Sequence, residues 1–168
     1  MAGHGLHIID ADEVGHEVLE NSDVIGEIGA IWTDVIEDGE VDRRALGRVV
    51  FADPLELRRL ESITHPRIFV AIADRVAEVE GLVAVELPLP GNPFDPPWPR
   101  SVVDAPDEIR LERVMSRGLS RDEALDRMAR QPSRAEWLQL ADVVVPNDGT
   151  MEDLAASIGR LADSLGWA

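Results

Sequence analysis

The chain has 168 residues, of which 45% are hydrophobic and 29% charged, a balance that suits one globular domain with a substantial core. Its 16 basic residues are all arginine, against 33 acidic residues, and the net charge of -17 excludes a general attraction to nucleic acid or to an anionic membrane. The absence of cysteine excludes disulfides and thiol nucleophiles, and no apolar run reaches the length of about 18 to 20 residues that a membrane span needs. We therefore expect one soluble, cytoplasmic domain over residues 1–168.

The first predicted unit is a strand followed by a helix. Leu6 to Asp10 is an apolar run that ends in an acid, as a buried parallel strand does, and Glu13 to Asn21 has helical spacing. A second amphipathic stretch runs from Val24 to Trp32, and the segment Glu37 to Glu40 is predicted to be a turn.

Two further helices are predicted from their capping residues. Asp42 caps the first, and in Asp53-Pro54 the aspartate caps while the proline takes the first helical position. His65-Pro66 is expected to restart a long helix that stops at Gly81. All of the segment from about 13 to 81 is therefore predicted to be a helical insertion between two strands.

The second half of the chain alternates strands and helices. Val83 to Leu87 and Ser101 to Asp104 are the next two strands, separated by a linker that is too rich in proline to be a helix. The remaining elements are a helix from Pro106 to Arg117, helices starting at the capping-box pairs Ser120/Glu123 and Ser133/Glu136, a last strand from Asp142 to Val145, and a final helix capped by Thr150. This order predicts an α/β domain with a parallel sheet.

Two acids close together at the first strand end are candidates for chemistry. If the backbone is extended there, Asp10 and Asp12 point the same way, because side chains alternate along a strand. The alternative is that one acid caps the following helix, and Asp12 is well placed to do so.

Basic residues suggest two phosphate-binding positions. Arg134 follows a capping serine and could fold its planar guanidinium over a polyphosphate. Part of the cluster Arg43, Arg44 and Arg48 could meet the phosphates of a substrate. For each arginine the alternative is a solvated surface side chain. His65 has no neighbours at metal-ligand spacing, and its ring is expected to fix a helix junction.

Six short motifs, in this order and spacing, carry a family resemblance. They are Ile9-Asp10-Ala11-Asp12, Phe51-Ala52-Asp53-Pro54, His65-Pro66 with Ile68, Val103-Asp104-Ala105-Pro106, Gln131-Pro132-Ser133-Arg134 and Asn147-Asp148-Gly149. Together they make nearly the whole chain resemble the dephospho-CoA kinase family of P-loop nucleotide kinases. The resemblance implies a P-loop-kinase-like parallel sheet with helices on both faces, a helical acceptor-binding insertion at about 13–81 and a lid at about 119–140.

The family moves the γ-phosphate of ATP to the 3'-hydroxyl of dephospho-CoA with Mg²⁺. The resemblance implies that Asp12 accepts the hydroxyl proton, that Asp10 lies near the water shell of the magnesium without binding it directly, and that Arg134 is a lid residue. It places the corner at His65 near the dephospho-CoA pocket, and Arg44 and Arg48 are the members of the arginine cluster expected to meet the phosphates of dephospho-CoA. Asn147 and Gly149 fall in the loop on the adenine side. A CoA-like small molecule is the expected partner, with neither nucleic acid nor membrane.

One family element is missing from the 168 residues. The family's central first strand and the loop G-x-x-x-x-G-K-[ST] are absent, so we expect an inactive or impaired chain whose remaining strands form two pairs with open edges. ATP and Mg²⁺ binding is in doubt for the same reason. Three explanations stay open. The first is a true start upstream of Met1, which is favoured because Ala2 to Gly5 resembles the end of the family's first helix. The others are a central strand donated by another chain or by self-association, and a non-catalytic pseudoenzyme that binds a CoA-like ligand or a partner protein.

Overall fold

A computed structural model describes residues 6–88, 94 and 96–166. The chain divides into two compact units, one spanning Gly5–Pro88 and the other lying mainly in Leu89–Ala168. The assignment of a single domain stays a prediction.

The first unit is a parallel strand pair with helices inserted between its strands. Its elements are β1 Leu6–Asp10, α1 Ala11–Val18, α2 Ser22–Ile31, a 3-10 helix at Thr33–Val35, β2 Ile36–Glu37, β3 Glu40–Val41, α3 Arg43–Val50, α4 Pro54–Glu78 and β4 Leu82–Glu86. β1 pairs in parallel with β4, from Leu6 opposite Leu82 to Asp10 opposite Glu86. Both strands were predicted to within a residue.

The junction after β1 differs from the prediction. The helix begins at Ala11, so Asp12 already lies in its first turn and the segment Asp10 to Asp12 is not extended. The cap is Asp10, whose Oδ1 accepts hydrogen bonds from the backbone N–H of Asp12 at 2.8 Å and of Glu13 at 3.4 Å. The capping role suggested for Asp12 is therefore wrong, because an N-cap side chain must reach N–H groups two and three residues ahead.

A short hairpin lies at the predicted turn within the segment that was predicted to be a helical insertion. β2 and β3 pair antiparallel, and the two residues between them, Asp38 and Gly39, both have positive φ, 52° and 84°. Positive φ at both central positions is the type I′ geometry that matches strand twist in tight hairpins, and Asp-Gly favours it. The turn at Glu37 to Glu40 is confirmed.

The long helix α4 does not restart at His65-Pro66. It runs unbroken from Pro54 to Glu78 with Pro66 inside it. A proline inside a helix cannot donate to the carbonyl four residues earlier and crowds the preceding turn. The carbonyl that Pro66 leaves without a helical donor is that of Ser62, and beside it the Arg67 Nη1 donates to the Ile63 carbonyl at 2.6 Å. The junction role predicted for His65 is therefore wrong.

The core of the first unit lies between α4 and the helices that precede it. α4 packs against α1, α2 and α3. Val14, Val24, Ile28 and Ile72 are fully buried there. Trp32 ties the end of α2 to the start of α4, because its Nε1 donates to Glu56 at 2.6 Å.

The second unit is a second parallel strand pair with four helices among its described residues. Its elements are β5 Ser101–Asp104, α5 Asp107–Ser116, α6 Arg121–Ala129, α7 Arg134–Gln139, β6 Val143–Pro146 and α8 Met151–Ser164. β5 pairs in parallel with β6, from Ser101 opposite Val143 to Asp104 opposite Pro146. The predicted capping boxes at Ser120 and Ser133 are confirmed, and Thr150 caps α8 as predicted.

The four longer strands form two separate pairs, as predicted. Within the described ranges no further strand bonds to either pair. Ile8 on β1 is 49% exposed, and Val103 on β5 and Val144 on β6 are 49% and 44% exposed. Of the proline-rich linker, residues 89–93 and 95 lie outside the described residues, and the described part contains no helix. None of the described helices is long and apolar enough to cross a membrane.

Candidate functional site

Two carboxylates stand side by side at the carboxyl end of the first strand pair. Asp10 ends β1, Glu86 ends β4, and the two residues are paired in the strand register. Ligands of parallel α/β sheets bind at this edge of the sheet. Glu86 was not among the predicted site residues, although it follows the apolar run of its strand just as Asp10 does.

Asp12 lies in the first turn of α1, beside this acid pair. Its side chain is exposed, and its backbone N–H is held by Asp10. No hydrogen bond or ion pair is made by its carboxylate to any residue that the structure describes. A carboxylate without donors keeps its lone pairs free, so Asp12 is suited to accept a proton from a substrate hydroxyl.

The acid pair also meets the needs of a magnesium ion. Mg²⁺ keeps several waters and is usually held by one or two carboxylates together with substrate phosphates. No group of three acidic or histidine side chains that could form an all-protein metal site occurs among the described residues. Asp10 and Glu86 therefore fit a magnesium ion that phosphates and water help to hold.

Two predicted substrate-binding arginines share one face of α3. Arg44 and Arg48 are four residues apart, and both are exposed. Within residues 6–88 neither guanidinium forms an ion pair. Asp42 caps this helix, and the backbone N–H groups of Ala45 and Arg44 lower the pKa of its carboxyl below the usual value. The charges of Arg48 and Arg44 also act on Asp42, yet neither side chain is in ion-pair contact with it, and both remain exposed to solvent.

His65 lies in α4 and contacts another ring rather than a polar group. Its ring centroid is 5.8 Å from that of Phe69, one turn further along the helix. His65 is half-buried, and α4 packs against both α1 and α3. The first unit therefore carries five of the predicted site residues: Asp10, Asp12, Arg44, Arg48 and His65.

Arg134 of the second unit is held by an acid that the sequence analysis left without a role. Its Nε and Nη2 donate to Oδ1 and Oδ2 of Asp104, both at 2.7 Å. Asp104 ends β5, and Arg134 is the first residue of α7. The hydrogen bonds from Arg134 lower the pKa of the Asp104 carboxyl, although its burial opposes that shift. Arg134 is therefore paired with Asp104, and its role as a lid residue stays a prediction.

The loop that carries Asn147 and Gly149 is fixed by a third arginine. Arg113 of α5 donates from Nη1 to the Asn147 carbonyl at 2.8 Å and from Nη2 to the Gly149 carbonyl at 3.4 Å. The Asn147 N–H donates to the Asp104 carbonyl at 2.7 Å, which extends the ladder between β5 and β6. Arg113 was missed because a lone arginine in a helix gives no sequence signal of the carbonyls it meets.

A cavity of about 190 Å³ lies between α5 and α6 in the second unit. Four arginines line it together with Val114, Met128 and Gln131: Arg110, Arg113, Arg117 and Arg127. Arg110 also donates to Gln131 at 3.1 Å and to Asp107 at 3.0 Å. Two of these guanidinium groups are engaged within the unit, that of Arg113 by the loop carbonyls of Asn147 and Gly149 and that of Arg110 by Gln131 and Asp107.

Gly149 has a steric role that the structure makes explicit. A Cβ at this position would lie 2.5 Å from Oδ2 of Asp153, the oxygen that accepts from both the N–H and the hydroxyl of Thr150 in the cap of α8. Gly149→Ala should therefore open the capping box and lower the free energy of unfolding by about 1 kcal/mol.

Gly159, in the same helix, is the matched control. A Cβ there would meet no atom within 4 Å among the described residues, so Gly159→Ala should stabilise the chain by up to about 1 kcal/mol. Urea denaturation followed by circular dichroism measures both variants. Equal effects of the two substitutions would contradict the steric role of Gly149.

Comparison with known proteins decides the family. The family model described as dephospho-CoA kinase matches residues 1–153. The dephospho-CoA kinase of Frankia casuarinae is 40% identical over 177 residues, which cover 98% of this chain and 75% of the relative. That of Thermobifida fusca is 35% identical over 173 residues, which cover 98% of this chain and 86% of the relative. The chain belongs to the dephospho-CoA kinase family.

Solved structures agree with this assignment. A crystal structure of a protein from Thermus thermophilus matches with a TM-score of 0.81 and 33% identity, covering 96% of this chain and 85% of that chain. The dephospho-CoA kinase from Campylobacter jejuni matches with a TM-score of 0.70 and 25% identity at the same coverage. The predicted P-loop-kinase-like α/β fold is therefore confirmed. Dephospho-CoA kinases act in coenzyme A biosynthesis, and the roles of individual residues in this chain stay predictions.

Proposed function

We propose that this chain carries the acceptor side of the dephospho-CoA kinase reaction: it binds dephospho-CoA and presents the 3'-hydroxyl to Asp12. The observation that carries the proposal is the exposed Asp12 carboxylate, which receives no donor from the described residues and lies next to the acid pair Asp10 and Glu86. A general base must be free to take the proton of the attacking hydroxyl.

The remaining residues divide the work of phosphoryl transfer, which depends mostly on positioning and charge neutralisation. Arg44 and Arg48 bind the phosphates of dephospho-CoA, and His65 lies on the same acceptor side. Asp10 and Glu86 would hold Mg²⁺, Asp10 through water. When bound, the ion would neutralise charge on the transferred phosphate. Arg134 and the arginine-lined cavity would bind the triphosphate of ATP, and the loop with Asn147 and Gly149 would contact its adenine.

We also propose that these 168 residues alone do not catalyse the reaction. The sequence contains no lysine and therefore no G-x-x-x-x-G-K-[ST] loop. That loop supplies backbone N–H groups and a lysine to the phosphates, and preorganised charge of this kind is a major part of transition-state stabilisation. A second candidate function is a non-catalytic protein that binds a CoA-like ligand or a partner strand. The second strand pair is only two-stranded within the described ranges, and its unpaired edges favour a partner strand.

Binding of dephospho-CoA to the purified chain tests the acceptor role. Arg44→Ala and Arg48→Ala should each weaken dephospho-CoA binding about tenfold, because each removes a charge-assisted contact to phosphate. Isothermal titration calorimetry without ATP measures this affinity.

Arg43→Ala is the control, since Arg43 is an exposed arginine of the same helix that points about 100° away from Arg44. It should leave the affinity within about twofold, a change of about 0.4 kcal/mol. Absence of dephospho-CoA binding, or equal losses in all three variants, would rule out the proposed acceptor site.

A further inference from the structure

The side-on contact between Asp104 and Arg134 leaves part of the guanidinium free. A guanidinium carries five N–H donors, and Asp104 takes one from Nε and one from Nη2. The other three donors, both on Nη1 and one on Nη2, meet no acceptor among the described residues. They form the outer edge of the guanidinium, which can bind two oxygens of one phosphate.

Asp104 is the more rigid member of this pair. Its side chain is only 14% exposed, against 41% for Arg134, and it stands at the end of a strand rather than in a loop. Its two oxygens fix both the position and the plane of the guanidinium. Arg134 is therefore ordered before a ligand binds, so that binding loses less side-chain entropy.

We propose that Asp104 is a positioning residue for nucleotide binding, which holds Arg134 so that its Nη1 edge faces the polyphosphate of the donor nucleotide. This inference rests on the proposed function only for the identity of the nucleotide. The opposing idea is that Asp104 competes with phosphate for Arg134. The two differ in sign, because loss of Asp104 weakens polyphosphate binding if it positions Arg134 and strengthens it if it competes.

Inorganic tripolyphosphate is the probe, and the side-chain Nε–H signal of Arg134 is the readout. The signal is assigned by ¹⁵N NMR of the whole chain through its loss in Arg134→Lys. In the wild type we expect slow solvent exchange of this Nε–H and a shift on titration. In Asp104→Asn the apparent Kd from that shift should rise about tenfold, equivalent to about 1.4 kcal/mol. Arg134→Lys removes the Arg134 signal, so tripolyphosphate binding to variants that carry it is followed through the other arginine signals. The double variant Asp104→Asn/Arg134→Lys should bind tripolyphosphate no more weakly than Arg134→Lys alone, because both substitutions act through one contact.

Asp107→Asn is the matched control for charge. Asp107 also acts electrostatically on Arg134, yet its only described hydrogen bond is to Arg110. Its loss removes the same negative charge without disturbing the pair, so the Kd should stay unchanged or fall slightly. Asp104→Glu serves if Asp104→Asn does not fold: the carboxylate is kept but displaced by one methylene, and binding should still weaken.

Three results would overturn the proposal. They are tighter or unchanged tripolyphosphate binding in the Asp104 variants, an equal loss in Asp107→Asn, and a wild-type Arg134 signal that tripolyphosphate does not shift. Dephospho-CoA is titrated into the same samples. If dephospho-CoA does not bind, the proposed function is contradicted. The role of Asp104 is still decided by the response of Arg134 to tripolyphosphate.

Discussion

Asp12→Asn is expected to lower kcat by about 10²- to 10⁴-fold in a variant that carries a family member's strand and phosphate loop fused ahead of Met1. The fused variant supplies the missing phosphate contacts, so that the acceptor side limits the reaction. An asparagine keeps the shape of Asp12 but cannot take the hydroxyl proton. KM for dephospho-CoA should change little, because the carboxylate is assigned to proton transfer rather than to binding. Steady-state formation of CoA measures both constants.

Glu13→Gln is the matched control for this prediction. Glu13 is the next residue of α1, is also exposed, and meets Asp10 only through its backbone N–H. Its substitution should leave kcat within about twofold, since its side chain has no assigned role. Similar losses in both variants would show that negative charge near the helix start matters and that Asp12 has no special role as a base.

Ile72→Ala should cause a large loss of stability in the first unit. Ile72 is fully buried in α4, the helix that packs against α1, α2 and α3. Removing its side chain loses apolar contact and leaves a cavity, which typically costs about 2–5 kcal/mol. Because α4 supports the helices that carry Asp12, Arg44 and Arg48, affinity for dephospho-CoA should fall as the unit loosens. Urea unfolding followed by circular dichroism gives the free energy.

Val70→Ala separates loss of core packing from a change in helix propensity. Val70 lies on the same helix, is also β-branched, and is 61% exposed. Its substitution should change the free energy of unfolding by no more than about 0.5 kcal/mol. A small effect at Ile72, or a large one at Val70, would contradict the core described here.

Much of the fold follows from local signals in the sequence. The strands β1, β4, β5 and β6 are short apolar runs, and most of the predicted helix starts are set by a single capping side chain, such as Asp42, Asp53 or Thr150. These signals act over three or four residues, which is why they can be recognised without the structure. The order of the strands was predicted from the motifs that resemble dephospho-CoA kinase. Because the family's central strand is absent from the sequence, that order predicted two strand pairs.

Features that depend on distant contacts were not predicted. Pro66 suggested a break, yet α4 runs through it unbroken and packs against α1, α2 and α3. Glu86 becomes a neighbour of Asp10 only through the strand register. The pair of Asp104 and Arg134 joins residues thirty positions apart, and no spacing rule connects them.

Formation of CoA by the 168-residue chain itself tests most directly whether these residues complete the reaction. The purified chain is mixed with magnesium-ATP and dephospho-CoA, and CoA is detected by mass spectrometry, with the fused variant run in parallel. We expect the chain alone to bind dephospho-CoA without forming product, and the fused variant to form product. CoA formed in proportion to the unfused chain, and lost in Asp12→Asn, would contradict the claim that these residues carry the acceptor side without completing the reaction.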